Sequence, residues 1–372
     1  MSTSPPFATA FSRAADWRAS AQDLADQLVG TVGGLGLLYT GVQFAGDLDA
    51  MVTQLKQQTD VGEWVAATGY GVISSEMECF GEVGATAMIV DLAPAGYRLF
   101  SGGATAGADL KAAHGPWLAE AVMPLVLVHA DPRREDAMDA VEQLASDCGG
   151  FLVGGLTVGE GTPHRADLGG ASLSGAAFSP AVVEMATGLS QGCTPLTEAR
   201  IATEVQQNIL IEIDGRPALD VLMEDIGPEL ASDLSQCAGV IFAARPVPGS
   251  DTADYTVRNL VGIDPEQKLV AIGDLLEDGD PIMFCRRDSE SAVVDMRRMA
   301  RDLKRRIGDK PVRGGIYISC AARGPNQFAA PEREIDIIRD TLGSFPLAGF
   351  FANGEISRDR VYAYTGVLTL FL

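Results

Sequence analysis

Three stretches of the chain, 37–90, 126–178 and 316–371, repeat one rhythm of apolar and polar positions. Each has a short apolar run, a stretch of helical period, a second apolar run, a glycine-bearing turn and a closing apolar run. Short apolar runs bounded by turn residues read as buried strands, and apolar positions three and four apart read as helices. The third copy predicts a strand over 315–320, a helix over 332–342, a strand over 346–351, a turn at 353–356 and a last strand over 361–371. The second predicts a strand over 125–129, a helix over 133–147, a strand over 151–156, a turn holding Gly159 and Glu160, and a strand over 171–178. The first is looser, with strands over 37–40, 64–73 and 85–91 and a helix over 47–57. A helix precedes each copy, over 17–28, 108–121 and 289–307. In the last of these Val293, Met296, Met299, Ala300 and Leu303 form an apolar stripe, while Arg297, Arg298, Arg301, Lys304 and Arg305 fill the other face. We read that basic face as solvated, because any surface helix needs charge opposite its apolar stripe.

Strand, helix and strand imply a right-handed parallel crossover, and the hairpin adds an antiparallel strand, so each copy yields a piece of mixed sheet with helices on one face. The expected fold is therefore α/β: repeated β-α-β-β modules whose mixed sheets pack as an α/β sandwich with the helices outside, in two domains. Between the second and third copies the rhythm changes to short strands separated by turns such as Asp214-Gly215 and Asp278-Gly279, with a short helix over 217–224. This places a helical lead-in at 1–30, a first domain at 31–190 and a second at 191–372.

At 372 residues the chain exceeds what a single core usually holds, which supports two domains. A net charge of -22 opposes binding to nucleic acid or to an anionic membrane surface. No apolar run approaches the ~20 residues that span a bilayer, and residues 1–21 lack a compact apolar signal core. A cytoplasmic protein is the simplest expectation. The six cysteines show no Cys-x-x-Cys spacing, which argues against a zinc knuckle or a redox dithiol. No phosphate-binding glycine loop is present either.

Several segments resemble, in order and spacing, the C-terminal domain of the FIST family: 190–195, 211–218, 258–264, Arg287-Asp288, 319–324 and 348–356. Residues 67–72 and 151–156 resemble the FIST N-terminal domain. The resemblance implies a sensory module for small ligands in signalling proteins, with one subset of haem proteins that respond to nitric oxide and regulate a histidine kinase. The chain carries no kinase or cyclase segment, so its output would pass through a separate partner.

The candidate ligand-binding residues are Arg216, Arg258, Asn259, Cys320, Arg323, Gly324, Gly349, Phe350 and Glu355. Cys320 ends a buried strand, where ligands of α/β sheets usually bind, and Arg323 follows three residues later. A structural alternative pairs Arg323 with an internal carboxylate such as Glu355 or Asp288. An arginine among apolar strand neighbours, as at Arg258, must be paired or bind something. Together Arg216, Arg258 and Arg323 suit an amino acid or another small carboxylate. Aligning the copies places Thr40, His129 and Cys320 at equivalent strand ends. Cys320 with His129 would be a nucleophile and base, or two ligands to an iron. The bland reading of His129 is a hydrogen-bonded structural residue. Of the three histidines, His129 is the candidate haem or iron ligand, since His164 falls in a turn and His114 at a helix end. No cofactor is expected from the residues alone. A small-ligand sensor is the leading reading, with a haem or iron nitric oxide sensor and a Cys320 hydrolase or transferase as alternatives.

Overall fold

The computed structural model describes residues 7–161, 163–166, 172–247, 254–328 and 332–372. Thr162 of the second turn and Ala171 at the start of an expected strand lie outside them. The chain divides into two compact units, one of residues 1–190 with 296–372 and one of Gln191–Asp295.

The fold class stands, with mixed sheets and helices outside, but the larger unit has three sheets where a sandwich has two. Each module supplies a parallel pair of strands joined through a helix, flanked by its closing strand. Leu35–Gly41 pairs with Glu63–Gly69, Leu125–Ala130 with Phe151–Leu156, and Gly314–Cys320 with Leu347–Ala352. The hairpin strand of each module leaves home. Gly71–Ser74 of the first adds to Leu347–Ala352 of the third. Glu355–Arg358 of the third adds to Phe151–Leu156 of the second, and His164–Ala166 of the second adds to Glu63–Gly69 of the first. The exchange is cyclic, so no module completes its own sheet.

The expected single strand over 64–73 is accordingly two strands, Glu63–Gly69 and Gly71–Ser74. The glycines at the break allow backbones to touch. A Cβ on Gly71 would lie 2.0 Å from the Cys79 carbonyl oxygen, and one on Gly69 would lie 2.5 Å from that of Phe351. The expected strand over 361–371 is likewise split, into Arg360–Tyr362 and Gly366–Phe371.

The helices form where the periodicity put them. Trp17–Leu28 starts at Asp16, whose Oδ1 accepts from the backbone N–H groups of Arg18 and Ala19 at 3.0 and 3.1 Å, a cap worth about 1 kcal/mol. Ala106–Ala121 kinks at His114, just before Pro116, because proline removes a helix donor and clashes with the preceding turn. The inner faces of all three sheets share one apolar core, while Trp17–Leu28 and Leu48–Gln58 cover the outer face of the first sheet. Two aromatic clusters join the sheets. Phe371 sits edge-on to Phe7 and Phe178 at 5.3 and 5.7 Å between ring centroids, and Tyr39, His129 and Phe350 form the second.

In the smaller unit the strand path runs from Thr194–Pro195 through Pro281–Arg286, Arg200–Gln206, Ile209–Ile213, Leu269–Ile272 and Tyr255–Asp264 to Ile241–Pro246. Ile241–Pro246 also pairs with Pro281–Arg286, so this antiparallel sheet closes on itself. Its core takes Leu219 and Leu222 from the helix Ala218–Ala231.

Candidate functional site

The second aromatic cluster brings one residue from the core strands of each module to the centre of the larger unit. Tyr39 stacks on Phe350 at 5.2 Å, and His129 stands edge-on to Tyr39 at 5.6 Å and to Phe350 at 5.7 Å. All three side chains are fully buried. Strand alternation puts Tyr39, with Leu35 and Leu37, on the inner face and Leu38 on the helix face. Thr40 therefore points away from His129, and Tyr39 is the residue that meets it.

Neither ring nitrogen of His129 has a hydrogen-bond partner, and the Tyr39 hydroxyl has none. Burial, reinforced by the nearby His164, pushes the His129 imidazole down to about 3, and burial raises the Tyr39 phenol. Both are uncharged at neutral pH. His164 corrects the expectation of an exposed turn: it lies in the strand His164–Ala166, is 1% exposed, and its Nδ1 is 2.7 Å from the Ser174 hydroxyl. Ser174 is in register with His129, so Tyr39, His129, Ser174 and His164 make one interior polar group.

On the same face of the second module's sheet, Glu355 is in register with Gly155 and Gly155 with His129. A Cβ on Gly155 would come within 2.8 Å of Ala352 Cβ, 2.9 Å of Ile318 Cγ2 and 3.1 Å of Phe350 Cζ. The third sheet thus fills the gap between His129 and Glu355. Glu355 Oε2 accepts from the Thr365 N–H and hydroxyl at 3.1 and 2.8 Å, while Oε1 has no nitrogen or oxygen partner and the Cys320 thiol lies against the carboxyl. Burial pushes this carboxyl up to about 8 despite the Thr365 hydrogen bonds and the charge of Arg323. Of the three glutamates in the hairpin turns only this one is buried, since Glu76 and Glu160 are exposed.

Cys320 lies beside Glu355, and burial followed by that carboxyl raises its thiol above the ordinary value. A nucleophilic thiol needs the opposite shift. Because both His129 nitrogens are unpartnered, Cys320 and His129 form no nucleophile and base pair.

Arg323 is wholly buried and paired with Glu334, Nε to Oε1 at 2.8 Å. Burial alone would lower its affinity for a proton, but Glu334 outweighs that and keeps the guanidinium charged. Glu334 also accepts from the Tyr317 and Ser319 hydroxyls at 2.6 and 2.9 Å and from the Gly324 N–H at 3.2 Å. The internal acid anticipated at Arg323 is thus Glu334, eleven residues on, a pairing that only the loop joining strand to helix explains. The guanidinium further donates to the Ser190 carbonyl and hydroxyl at 3.4 and 3.3 Å and approaches Met296 Sδ at 3.7 Å. Gly349 is a close-packing position, where a Cβ would lie 1.7 Å from the Tyr317 carbonyl oxygen.

Among known families, residues 34–216 match the FIST N domain and residues 218–358 match the FIST C domain. The chain belongs to the FIST family. It is 32% identical over 270 residues to uncharacterized proteins from two strains of Mycobacterium tuberculosis, covering 67% of this chain and 68% of each relative. It is 30% identical over 194 residues, half of each chain, to an uncharacterized protein of Mycobacterium bovis. FIST domains are regarded as a sensory, signal-transduction module.

Of the remaining candidates in this FIST protein, Arg216, Arg258 and Asn259 lie in the smaller unit. Arg216 is exposed and paired with Glu224 at 2.7 Å. Arg258 Nε meets Asp274 Oδ2 at 3.2 Å, and Arg245 shares that carboxylate at 3.3 Å while also reaching Asp280 at 2.8 Å. Asn259 holds the ladder beside it, its carbonyl accepting from the Gly273 N–H at 2.9 Å. Each candidate arginine, Arg323 included, already has an internal acid, so an incoming carboxylate would have to displace one. The surroundings of His129 do not fit a haem, because Tyr39, Phe350 and the contacts over Gly155 occupy the space a macrocycle needs. Among the described residues no three His, Cys, Asp or Glu side chains are placed to hold a metal ion, and no helix is long and apolar enough to cross a membrane.

Proposed function

We propose that this FIST protein is a small-ligand sensor that reports through a separate partner and takes its ligand at the interior polar group around Tyr39 and His129. One observation carries the reading: three hydrogen-bonding atoms on two touching, fully buried side chains have no partner. Each such atom costs roughly 1–3 kcal/mol, so a ligand offering both a donor and an acceptor is favoured there by relief of that cost. Because the rings and the contacts over Gly155 close the space beside His129, a ligand entering there would part the sheets, a change a partner can read.

The chemistry of the group selects an uncharged ligand. His129 and Tyr39 are neutral, and Arg323, the candidate cation of the same unit, is already paired with Glu334. A small amide, alcohol or undissociated acid fits these partners better than a free carboxylate or a zwitterionic amino acid. A cytoplasmic setting is supported by the acidic charge and by six thiols that form no disulfide.

Thermal melts against a library of small neutral and anionic metabolites test the reading. A neutral compound that raises the melting temperature of the wild type and not of His129→Phe supports it. No stabilising compound, or a shift that survives in His129→Phe, refutes it.

A further inference from the structure

The helix Ser289–Ile307 carries more positive charge than its exposure to water requires. Eight of the chain's 28 lysines and arginines fall within residues 297–313, against only two of its 50 acids. Everything else in this chain of net charge -22 is strongly acidic. The basic side chains are also not simply spread over a convex face. Arg297, Arg301 and Lys304, at spacings of four and three, form one wall of a groove of about 400 Å³. Ile337, Asp340 and Thr341 of the helix Glu334–Leu342 form the other wall.

The groove is held open by weak internal contacts. Arg297 pairs with Glu332 at 2.7 Å, but both are nearly half exposed, and such pairs are worth little in water. Lys304 donates to the Thr341 carbonyl at 2.8 Å, which fixes its position and leaves its charge unneutralised. Arg301 makes no ion pair among the described residues. Elsewhere on the same helix Arg298 and Arg305 share one acid, Asp302. Within the groove, Arg301 and Lys304 therefore carry two positive charges without an ion pair, against the single acid Asp340 on the facing wall.

We infer that this groove is the partner-docking surface and that its occupant is an acidic peptide segment. Along the helix the three cations lie ~6 and ~5 Å apart, from the rise per residue. Alternate side chains of an extended peptide are spaced ~7 Å apart, so carboxylates at every second residue meet successive cations. The buried Ile337 gives the peptide an apolar floor. An anionic bilayer or a nucleic acid suits the surface poorly, because either presents an extended field of charge to a molecule that is acidic everywhere else. The inference rests on the output clause of the proposed function and not on the interior ligand site, so each survives failure of the other.

The test is fluorescence anisotropy with a labelled (Glu-Ala)4 peptide at low and physiological salt. Two variants bracket it. R297E/R301E/K304E reverses the groove, and R18E/K111E/R134E makes the same change in net charge elsewhere on exposed positions. The expected result is salt-sensitive binding to the wild type, at least tenfold weaker in the groove variant and within twofold of wild type in the control. Equal loss in both variants would mean a diffuse field and overturns the inference, as does no binding to the wild type. Binding to phosphatidylserine vesicles as tight as to the peptide would also overturn it. So would sedimentation showing a dimer that only the groove variant abolishes, since the occupant would then be a second copy. R301Q, which removes a groove cation that makes no ion pair among the described residues, is expected to weaken the peptide several-fold without changing the melting temperature. Unchanged affinity in R301Q counts against the site.

Discussion

Replacing Glu355 by glutamine should stabilise the protein, and by an amount that depends on pH. The side chain is fully buried, with Oε2 satisfied by Thr365 and only the Cys320 thiol otherwise against the carboxyl. In the fold its carboxyl is pushed from 4.5 up to about 8. Below pH 4.5 the group is protonated in both folded and unfolded chains and has no effect on the balance. Between pH 4.5 and 8 the unfolded chain ionises while the folded one retains the proton, so stability falls by ~1.4 kcal/mol per pH unit. Above pH 8 both forms are ionised and the loss levels off, at most about 5 kcal/mol. Glutamine keeps the carbonyl that Thr365 needs and cannot ionise. Urea unfolding of Glu355→Gln and wild type at pH 4, 6, 8 and 9 should give curves that nearly coincide at pH 4. At pH 8 and above they should separate by a few kcal/mol in favour of the variant. A difference that stays constant across the series would refute the assignment of the cost to a buried ionisation.

Four further outcomes follow from the same geometry. Arg323→Ala leaves Glu334 charged and buried, and should cost about 3–5 kcal/mol by urea unfolding, with most of it recovered in Arg323→Met/Glu334→Leu. His129→Phe removes a group whose folded value lies near 3 against 6.5. The unfolded wild type gains a proton that the folded form refuses as pH falls from 6.5 to 3, so the variant's advantage in melting temperature should grow over that window and be constant with pH above it. Gly71→Ala forces a Cβ to within 2.0 Å of a carbonyl oxygen, and should lower the melting temperature by many degrees or prevent folding, whereas Gly46→Ala, where the space is open, should be tolerated. Iodoacetamide at neutral pH should leave Cys320 unmodified in the native protein and label it after unfolding, as peptide mass analysis will show.

Local patterns were readable and long-range partnerships were not. The helix Ser289–Ile307 matches its expected span because its apolar stripe repeats at three and four over about three turns. The three modules were visible because each repeats its own strand, helix and strand within about fifty residues. The hairpin exchange has no local signature, since Ser74 pairs with Ala348 across most of the chain. Only Gly69 and Gly71 hinted at a break. His164 looked exposed because proline and glycine precede it, and it is buried because another module's sheet captures the strand that follows them. Cys320, Arg323 and Glu355 stand out by residue type at strand ends and turns, but the partners Glu334 and Thr365 follow from packing rather than from spacing. Tyr39 is hidden because counting to the end of the first module's strand gives Thr40, one position out of step with that strand's alternation.

The cyclic hand-off of strands sets a timetable for synthesis. A ribosome adds residues at roughly 5–20 per second, so Gly71–Ser74 waits on the order of 15 to 50 s before its partner strand, 274 positions later at Ala348 for Ser74, has been made. During that interval the second and third sheets are unfinished, and their open edges invite pairing with other nascent chains. Holding those edges apart until the C-terminal strands emerge is the hazard this architecture brings, and slowed translation or lost chaperones should show it as aggregation of newly made protein before any effect on the mature molecule.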